Sequence, residues 1–305
     1  MVGNVASVMA ELEPEDFYLL SGLEQGMRFS EWVQREKLPD YADMPAEEVD
    51  YRIDRCADRE LIERKTIQYE GYRLTFEGYD CLALRAFSER GTIEGMGASL
   101  GVGKESDVYE VQSYEPMALK FHREGYTEFR KVDKEREYTA DRNHVSWFYT
   151  ARKAAEREHE VLTDLYPDVS VPRPVDQNRH AILMEKFAGV ELQRASVPDE
   201  QAVGVCDLVL REIRDAYEAG YVHADMSQHN VAVAESGVTV FDWPQAVATD
   251  HENADELLER DVENVVSFFQ RKYPQEMPDD VDYRGIAEAV REGDGAFGSV
   301  GTFAE

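Results

Sequence analysis

The sequence predicts an α+β protein: an N-terminal winged helix-turn-helix unit followed by a larger, two-lobed unit. Three observations predict it. Residues 1–90 read as three helical segments and then a hairpin. Residues 96–121 read as three short strands around a glycine loop, and a long amphipathic helix follows at about 146–166. In the last third, helices frame one further hairpin at 231–241, and the unusual polar residues gather on its flanks.

Taken in order, helical patterns run near 14–26, 28–36 and 45–60, with Pro45 placed where a proline suits a helix start. Ile62–Tyr69 and Tyr72–Phe76 then flank Glu70-Gly71, a hairpin signal. On the third helix Arg52, Arg55 and Arg59 recur at spacings of three and four and share one face. That face reads either as a nucleic-acid stripe or as an ordinary solvated one, because Glu47, Glu48, Asp50, Asp54 and Asp58 share the helix. Residues 122–146 are mostly charged and lack a clean period, which predicts a mobile excursion. Pro167, Pro172 and Pro174 end the 146–166 helix, and Ala181–Met184 is a short buried strand. A helix over 199–220 closes at Gly220, and the Gly-rich tail after about 292 is expected to be loose.

The 305 residues carry a net charge of −30, with 63 acidic residues against 33 Lys and Arg, of which nine are Lys. Such acidity opposes nonspecific attraction to nucleic acid. Carboxylates spread over the whole chain match proteins of salt-loving organisms, where screening lengths shrink to a few ångströms. A hydrophobic content of 43% supports real cores. Cys56, Cys81 and Cys206 lie far apart with no C-x-x-C, which fits a reducing cytosol and argues against a cysteine-built zinc site. No signal pattern opens the chain and no apolar run approaches the ~18 residues of a membrane span. The expectation is a soluble cytoplasmic protein without membrane contact.

The chemistry starts at the second hairpin. Val231–Ala234 and Val238–Phe241 flank a three-residue loop, Glu235-Ser236-Gly237, so Asn230 and Asp242 stand six residues either side of Ser236 and are expected to oppose each other. An amide oxygen and a carboxylate so placed suit Mg²⁺, with phosphate oxygens and water completing the octahedron. Asp225, five residues before Asn230, is the candidate base or nucleophile-positioning group. His223 is expected to hold the loop, and His229 to be a surface or supporting residue. Lys120 sits in an apolar strand, Met117–Phe121, where a charge needs partners. Glu158 interrupts the apolar stripe Trp147, Ala151, Ala154, Val161 and Leu165, and pairing it with Lys120 would satisfy both.

The loop Gly101-Val102-Gly103-Lys104-Glu105-Ser106 lets backbone N–H groups approach phosphates, although the G-x-x-x-x-G-K-[ST] spacing fails. Ser106 could give its hydroxyl to a phosphate oxygen; Lys104 either meets phosphate or faces solvent. Met184–Phe187 joins the two halves, and the backbones of Glu185 and Phe187 are the candidate adenine contacts. The order lysine, catalytic aspartate, asparagine, aspartate matches phosphoryl transfer from ATP.

G-x-G-K-E-S-D-V-Y (101–109), A-L-K (118–120), H-A-D-M-S-Q-H-N (223–230) and F-D-W-P-Q (241–245) together resemble the RIO protein kinases. The winged-helix reading of 1–90 points to their type-two branch. The resemblance implies a trimmed protein-kinase fold with a winged-helix domain at 1–90 and a kinase domain at 91–292. The N-lobe would run over about 91–184, the C-lobe over about 188–292, and a tail over 293–305. It implies ATP and Mg²⁺ as cofactors, classification as a serine/threonine kinase, action largely as an ATPase through a phospho-aspartate, and a role in late maturation of the small ribosomal subunit. Carried over residue by residue, Asp225 is the catalytic aspartate, and Asp242 the metal ligand and phosphate acceptor. Asn230 is the second metal ligand, and Lys120 the ATP lysine. Glu259-Arg260-Asp261 resembles the family's helix whose aspartate steadies the catalytic loop. On this reading Arg52, Arg55 and Arg59 would touch ribosomal RNA. Two departures stand out: Ala224 replaces a common glycine, and Trp243 a common phenylalanine. Two other readings are a small-molecule kinase, which shares H-x-D-x-x-x-x-N and often Asp-Trp, and a DNA-binding regulator with a degenerate kinase domain. The glycine loop and the winged helix oppose the first, and the four intact polar residues oppose the second.

Overall fold

Pro14 opens helix α2 (Pro14–Gly26), where its missing N–H leaves nothing unsatisfied, and the Glu13 N–H donates to Asp16 at 2.9 Å. In the computed structural model, which describes residues 5–66, 68–123 and 147–292, a short α1 (Val5–Ala10) precedes it. Of the charged excursion, only His122 and Arg123 are among the described residues; the expected loose tail lies outside them.

After α2 come β1 (Val33–Gln34), α3 (Leu38–Ala42), α4 (Ala46–Asp58), the antiparallel pair β2 (Ile62–Thr66) and β3 (Glu70–Leu74), and α5 (Phe76–Glu89), which Thr75 caps by accepting the Gly78 N–H at 3.1 Å. The helix expected over 28–36 is absent. Val33 and Gln34 instead pair with Tyr72 and Gly71 as a third strand, because a β-branched residue beside an open strand edge gains both a ladder and burial. The hairpin also turns earlier than expected: Thr66 faces Glu70, so Glu70 and Gly71 belong to β3. The glycine answers to packing, since a Cβ at Gly71 would stand 2.8 Å from that of Trp32.

On the arginine face of α4, Arg52 turns inward, whereas Arg55 and Arg59 stay partly exposed. Arg52 is 6% exposed and reaches Glu13, Asp16 and Glu48; Arg55 grips Asp16 at 3.0 Å; Arg59 reaches Glu11. The buried Asp16 carboxylate at the start of α2 binds Arg52 and Arg55; burial pushes its pKa up, but hydrogen bonds from these two guanidiniums hold it below the usual value.

A five-stranded sheet follows, in the order β4-β5-β6-β8-β7, from β4 (Gly95–Val102), β5 (Ser106–Gln112), β6 (Met117–His122), β7 (Pro174–Asn178) and β8 (Ala181–Glu185). β4 and β5 pair with irregular register between Met96 and Gly101. One continuous core runs from Leu19, Leu23, Tyr79 and Phe87 through Val111, Leu119 and Phe121 to Leu183, so the winged-helix segment and the sheet share an interior. These residues, up to Glu156 together with Val175–Met184, form the first of two compact units.

The second unit comprises Arg157–Pro174 and the chain from Glu185. It takes in the C-terminal part of α6 (Trp147–Leu165), then β9 (Val190–Glu191), α7 (Ala202–Glu218), β10 (Tyr221–Val222), β11 (Val231–Ala234), β12 (Gly237–Val240), β13 (Val247–Ala248), α8 (Ala254–Lys272) and α9 (Tyr283–Glu292). Helices α7, α8 and α9 pack together, and β11 lies between β9 and β12. No helix among the described residues is long and apolar enough to cross a membrane.

Candidate active site

The β11–β12 hairpin sets the site in the second unit. Ala234 faces Gly237 and Val231 faces Val240, so the turn is the two residues Glu235-Ser236 and not the three expected. The register therefore places Phe241 opposite Asn230, its N–H donating to the Asn230 carbonyl at 3.0 Å, and Asp242 one step beyond. Asn230 and Asp242 thus flank the same end of the ladder without directly facing each other.

Asn230 is 7% exposed, and its side-chain amide donates to the Asp225 carbonyl at 2.9 Å. That bond fixes the loop 225–230 as a closed turn and leaves the amide oxygen to act as a ligand. The Asp225 carboxylate is exposed, whereas its backbone is held by His223, whose Nδ1 accepts the Asp225 N–H at 3.3 Å. His223 Nε2 lies 3.3 Å from the Phe241 carbonyl, and burial holds the imidazole below its usual pKa. An acceptor Nδ1 with a donor Nε2–H is the neutral tautomer, so His223 ties the two halves of the site together as support.

The loop hangs from α8. Asp261, 1% exposed, accepts the N–H of Ala224 at 2.7 Å and that of Met226 at 3.0 Å. Arg260 donates to the Ala224 carbonyl, and Asn264 to the Met226 carbonyl at 3.1 Å. Burial pushes Asp261 up to about 6 against the pull of its two N–H donors. Asn264 was missed in the sequence; its spacing of three from Asp261, on the same helix face, is the signal that could have found it. Ala224 has φ +65° and Asp242 φ +71°, both in the left-handed region, so each brackets a backbone reversal at the site.

Trp243 does not reach toward a ligand. It is fully buried, donates its Nε1–H to the Val240 carbonyl at 3.2 Å, packs on His223 at 4.5 Å and gives its backbone N–H to Glu158 at 3.1 Å. Glu158, 1% exposed on α6, is therefore fastened to the residue after Asp242. Phe187 stacks on Phe241 at 5.1 Å, beside Asp242. The Glu185 N–H is already spent on the Arg173 carbonyl at 2.9 Å, and its carboxylate faces Arg173.

In the first unit, Lys120 is 5% exposed on β6, opposite Val108. Ser106 pairs with His122 in the ladder and accepts the Gly103 N–H at 2.8 Å, while Lys104 faces solvent. A Cβ at Gly101 would meet no atom within 4 Å. Packing among the described residues therefore does not require glycine there.

Among the described residues no group of three or more His, Cys, Asp and Glu could hold a metal. An amide oxygen and a carboxylate at Asn230 and Asp242 could join phosphate oxygens and water around a Mg²⁺ ion.

Comparison with known proteins finds clear relatives. Residues 107–282 match the family described as the RIO domain, and residues 9–90 that described as Rio2, N-terminal. The RIO-type serine/threonine-protein kinase Rio2 of Methanocaldococcus jannaschii is 38% identical over 271 residues, covering 87% of this chain and 99% of its own. The serine/threonine-protein kinase rio2 of Schizosaccharomyces pombe is 35% identical, covering 96% and 86%. Among solved structures, the Rio2 kinase-ADP/Mg²⁺-phosphoaspartate complex of Chaetomium thermophilum superposes with a TM-score of 0.79 at 29% identity, covering 98% of this chain and 96% of that one.

Proposed function

The chain belongs to the RIO family, with the N-terminal domain of its Rio2 branch, and on that premise we propose how its residues divide the work of an ATP- and Mg²⁺-dependent serine/threonine kinase and ATPase. Asp225 orients the attacking group. Asn230 and Asp242 would hold a magnesium ion, which would supply charge neutralisation at the phosphates. Asp242 also takes the γ-phosphoryl group: its carboxylate oxygen forms the new bond to phosphorus, the bond to ADP breaks, and water later cleaves the acyl phosphate. Lys120 and Ser106 are assigned to the nucleotide phosphates, and Glu158 supports Asp242 through Trp243. Lys104 is left a contact made only on binding, because it faces solvent. For the adenine, the backbones of Glu185 and Phe187 remain the assigned contacts. The Glu185 carbonyl is the group for this, since its N–H is occupied.

The observation that carries this reading is the anchored loop: Asp261, His223 and Asn230 hold the backbone on both sides of Asp225 and leave its carboxylate exposed. The same reading takes residues 1–90 as the winged-helix domain, 91–292 as the kinase domain and 293–305 as a tail. It makes the partner a maturing small ribosomal subunit in the cytoplasm; Cys56, Cys81 and Cys206, all free and buried, suit such a reducing compartment. Turnover of ATP by Asp225→Ala and Asp242→Ala tests it. A fall of at least ~10²-fold in each is expected for a lost positioning or metal group; unchanged turnover in both refutes it.

A further inference from the structure

A buried charge cluster lies where β6 ends. Asp80 on α5 is 1% exposed, and Arg123 at the end of β6 is 9% exposed. The guanidinium of Arg123 grips Asp80 with two bonds of 2.8 Å, Nη1 to Oδ1 and Nη2 to Oδ2. His180, fully buried between β7 and β8, faces the same carboxylate at 2.7 Å and stacks on Tyr79 at 4.4 Å. Burying an ion pair is unfavourable unless its geometry is good and its remaining donors are used. Here the spare Nε–H of Arg123 is used, and its direction is informative: it donates to Asp107 at 2.9 Å. The backbone N–H of Arg123 also donates to the Glu105 carbonyl, at 2.7 Å. Both acceptors lie on the return limb of the glycine loop, either side of Ser106. One residue therefore ties that limb to a helix of the winged-helix segment.

We propose that Arg123 is a positioning residue for the glycine loop, and that Asp80, outside the kinase domain, contributes through it to nucleotide affinity. The inference rests on the reading that the loop 101–106 meets the nucleotide phosphates. Bidentate guanidinium–carboxylate pairs fix orientation as well as distance. Held by Asp80 on one side, Arg123 fixes where Glu105 and Asp107 stand, and hence which way the N–H groups between them point. A loop released from this hold samples more conformations, and nucleotide binding must then restrict them. The winged-helix segment is in this sense part of the nucleotide machinery.

The test uses the full chain and three variants, Asp107→Asn, Arg123→Lys and Asp80→Asn, with Mg·ATP turnover, Mg·ADP binding by calorimetry and hydrogen exchange over residues 101–107. Asp107 is 17% exposed and its loss leaves the Asp80–Arg123 pair intact, so Asp107→Asn folds even if the buried variants do not. The expected result is a KM for ATP and a Kd for ADP raised roughly tenfold, the equivalent of one charge-assisted hydrogen bond. The expected kcat stays within about twofold, exchange over 101–107 speeds up, and Arg123→Lys raises KM and Kd as well, because an ammonium cannot fork. A merely structural role would lower the melting temperature and leave KM and Kd alone, and that outcome in Asp107→Asn overturns the inference. Lys120→Ala, run alongside, separates the two layers. If Lys120→Ala binds Mg·ADP normally, the nucleotide assignment itself falls and the inference falls with it. If Lys120→Ala loses binding while Asp107→Asn keeps it, the inference alone falls.

Discussion

Asp261 and Ala224 meet at 2.7 Å, the carboxylate of one accepting the backbone N–H of the other, in a loop where Ala224 stands at φ +65°. A strained backbone persists only where its surroundings over-determine it, and here a buried carboxylate does so by holding Met226 as well. The exposed Asp225 sits on the residue between those two grips.

Asp261→Asn keeps the shape but offers one acceptor oxygen for two N–H donors. It leaves a buried N–H facing an amide N–H₂, a loss of about 2 kcal/mol. Thermal unfolding should show that loss, and kcat should fall at least ~10-fold while KM for ATP changes little.

The same residue shapes the pH profile. Burial pushes Asp261 up to about 6, so its proton arrives as pH drops through that value and one oxygen ceases to be a full acceptor. Turnover of the unmodified protein should decline below about pH 6. The Asp261→Asn variant should lack that limb in a kcat–pH profile, because an amide does not titrate there.

Ala224→Gly should stabilise by about 0.5–1 kcal/mol, since glycine takes φ +65° without the side-chain penalty, although it also frees the unfolded chain. Ala224→Val should destabilise by more than 1 kcal/mol, because a β-branched residue tolerates that backbone worst. Denaturant midpoints for the pair decide it; equal effects of the two would remove the strain from consideration.

Stability should depend on pH through His180. Burial holds its folded-state pKa down to about 4, against 6.5 for the free group. The pKa is depressed on folding, so the contribution is present above about 6.5 and is lost as pH falls toward 4, where only the unfolded chain binds the proton. The full difference is on the order of 3 kcal/mol. Unfolding free energies measured across that window should slope downward with acidification, and His180→Gln should flatten the slope.

Much of this was legible in the chain, and the failures have physical causes. Helix 14–26 was readable because Pro14 marks its start locally. The placement of Asn230 and Asp242 at one end of the second hairpin was readable because a short hairpin brings near sequence neighbours together. Its register was off because Gly237 pairs as a strand residue and shortens the turn. The ion pairs of the arginine stripe on α4 were not legible because the partners, Glu11, Glu13 and Asp16, lie far back in the chain. The segment 28–36 misled for a related reason: β3 offers an edge that overrides the local helical pattern. The Arg123 cluster was invisible, since Asp80, Asp107, Arg123 and His180 meet only in the folded unit.

The phosphoryl acceptor is the sharpest point of contact with experiment. Incubation with Mg·ATP, rapid quenching and peptide mass spectrometry with and without hydroxylamine should locate a phosphate on Asp242 that hydroxylamine removes and that Asp242→Asn abolishes together with turnover. A hydroxylamine-stable phosphate on serine or threonine only, with ATP hydrolysis intact in Asp242→Asn, would contradict the assignment of Asp242.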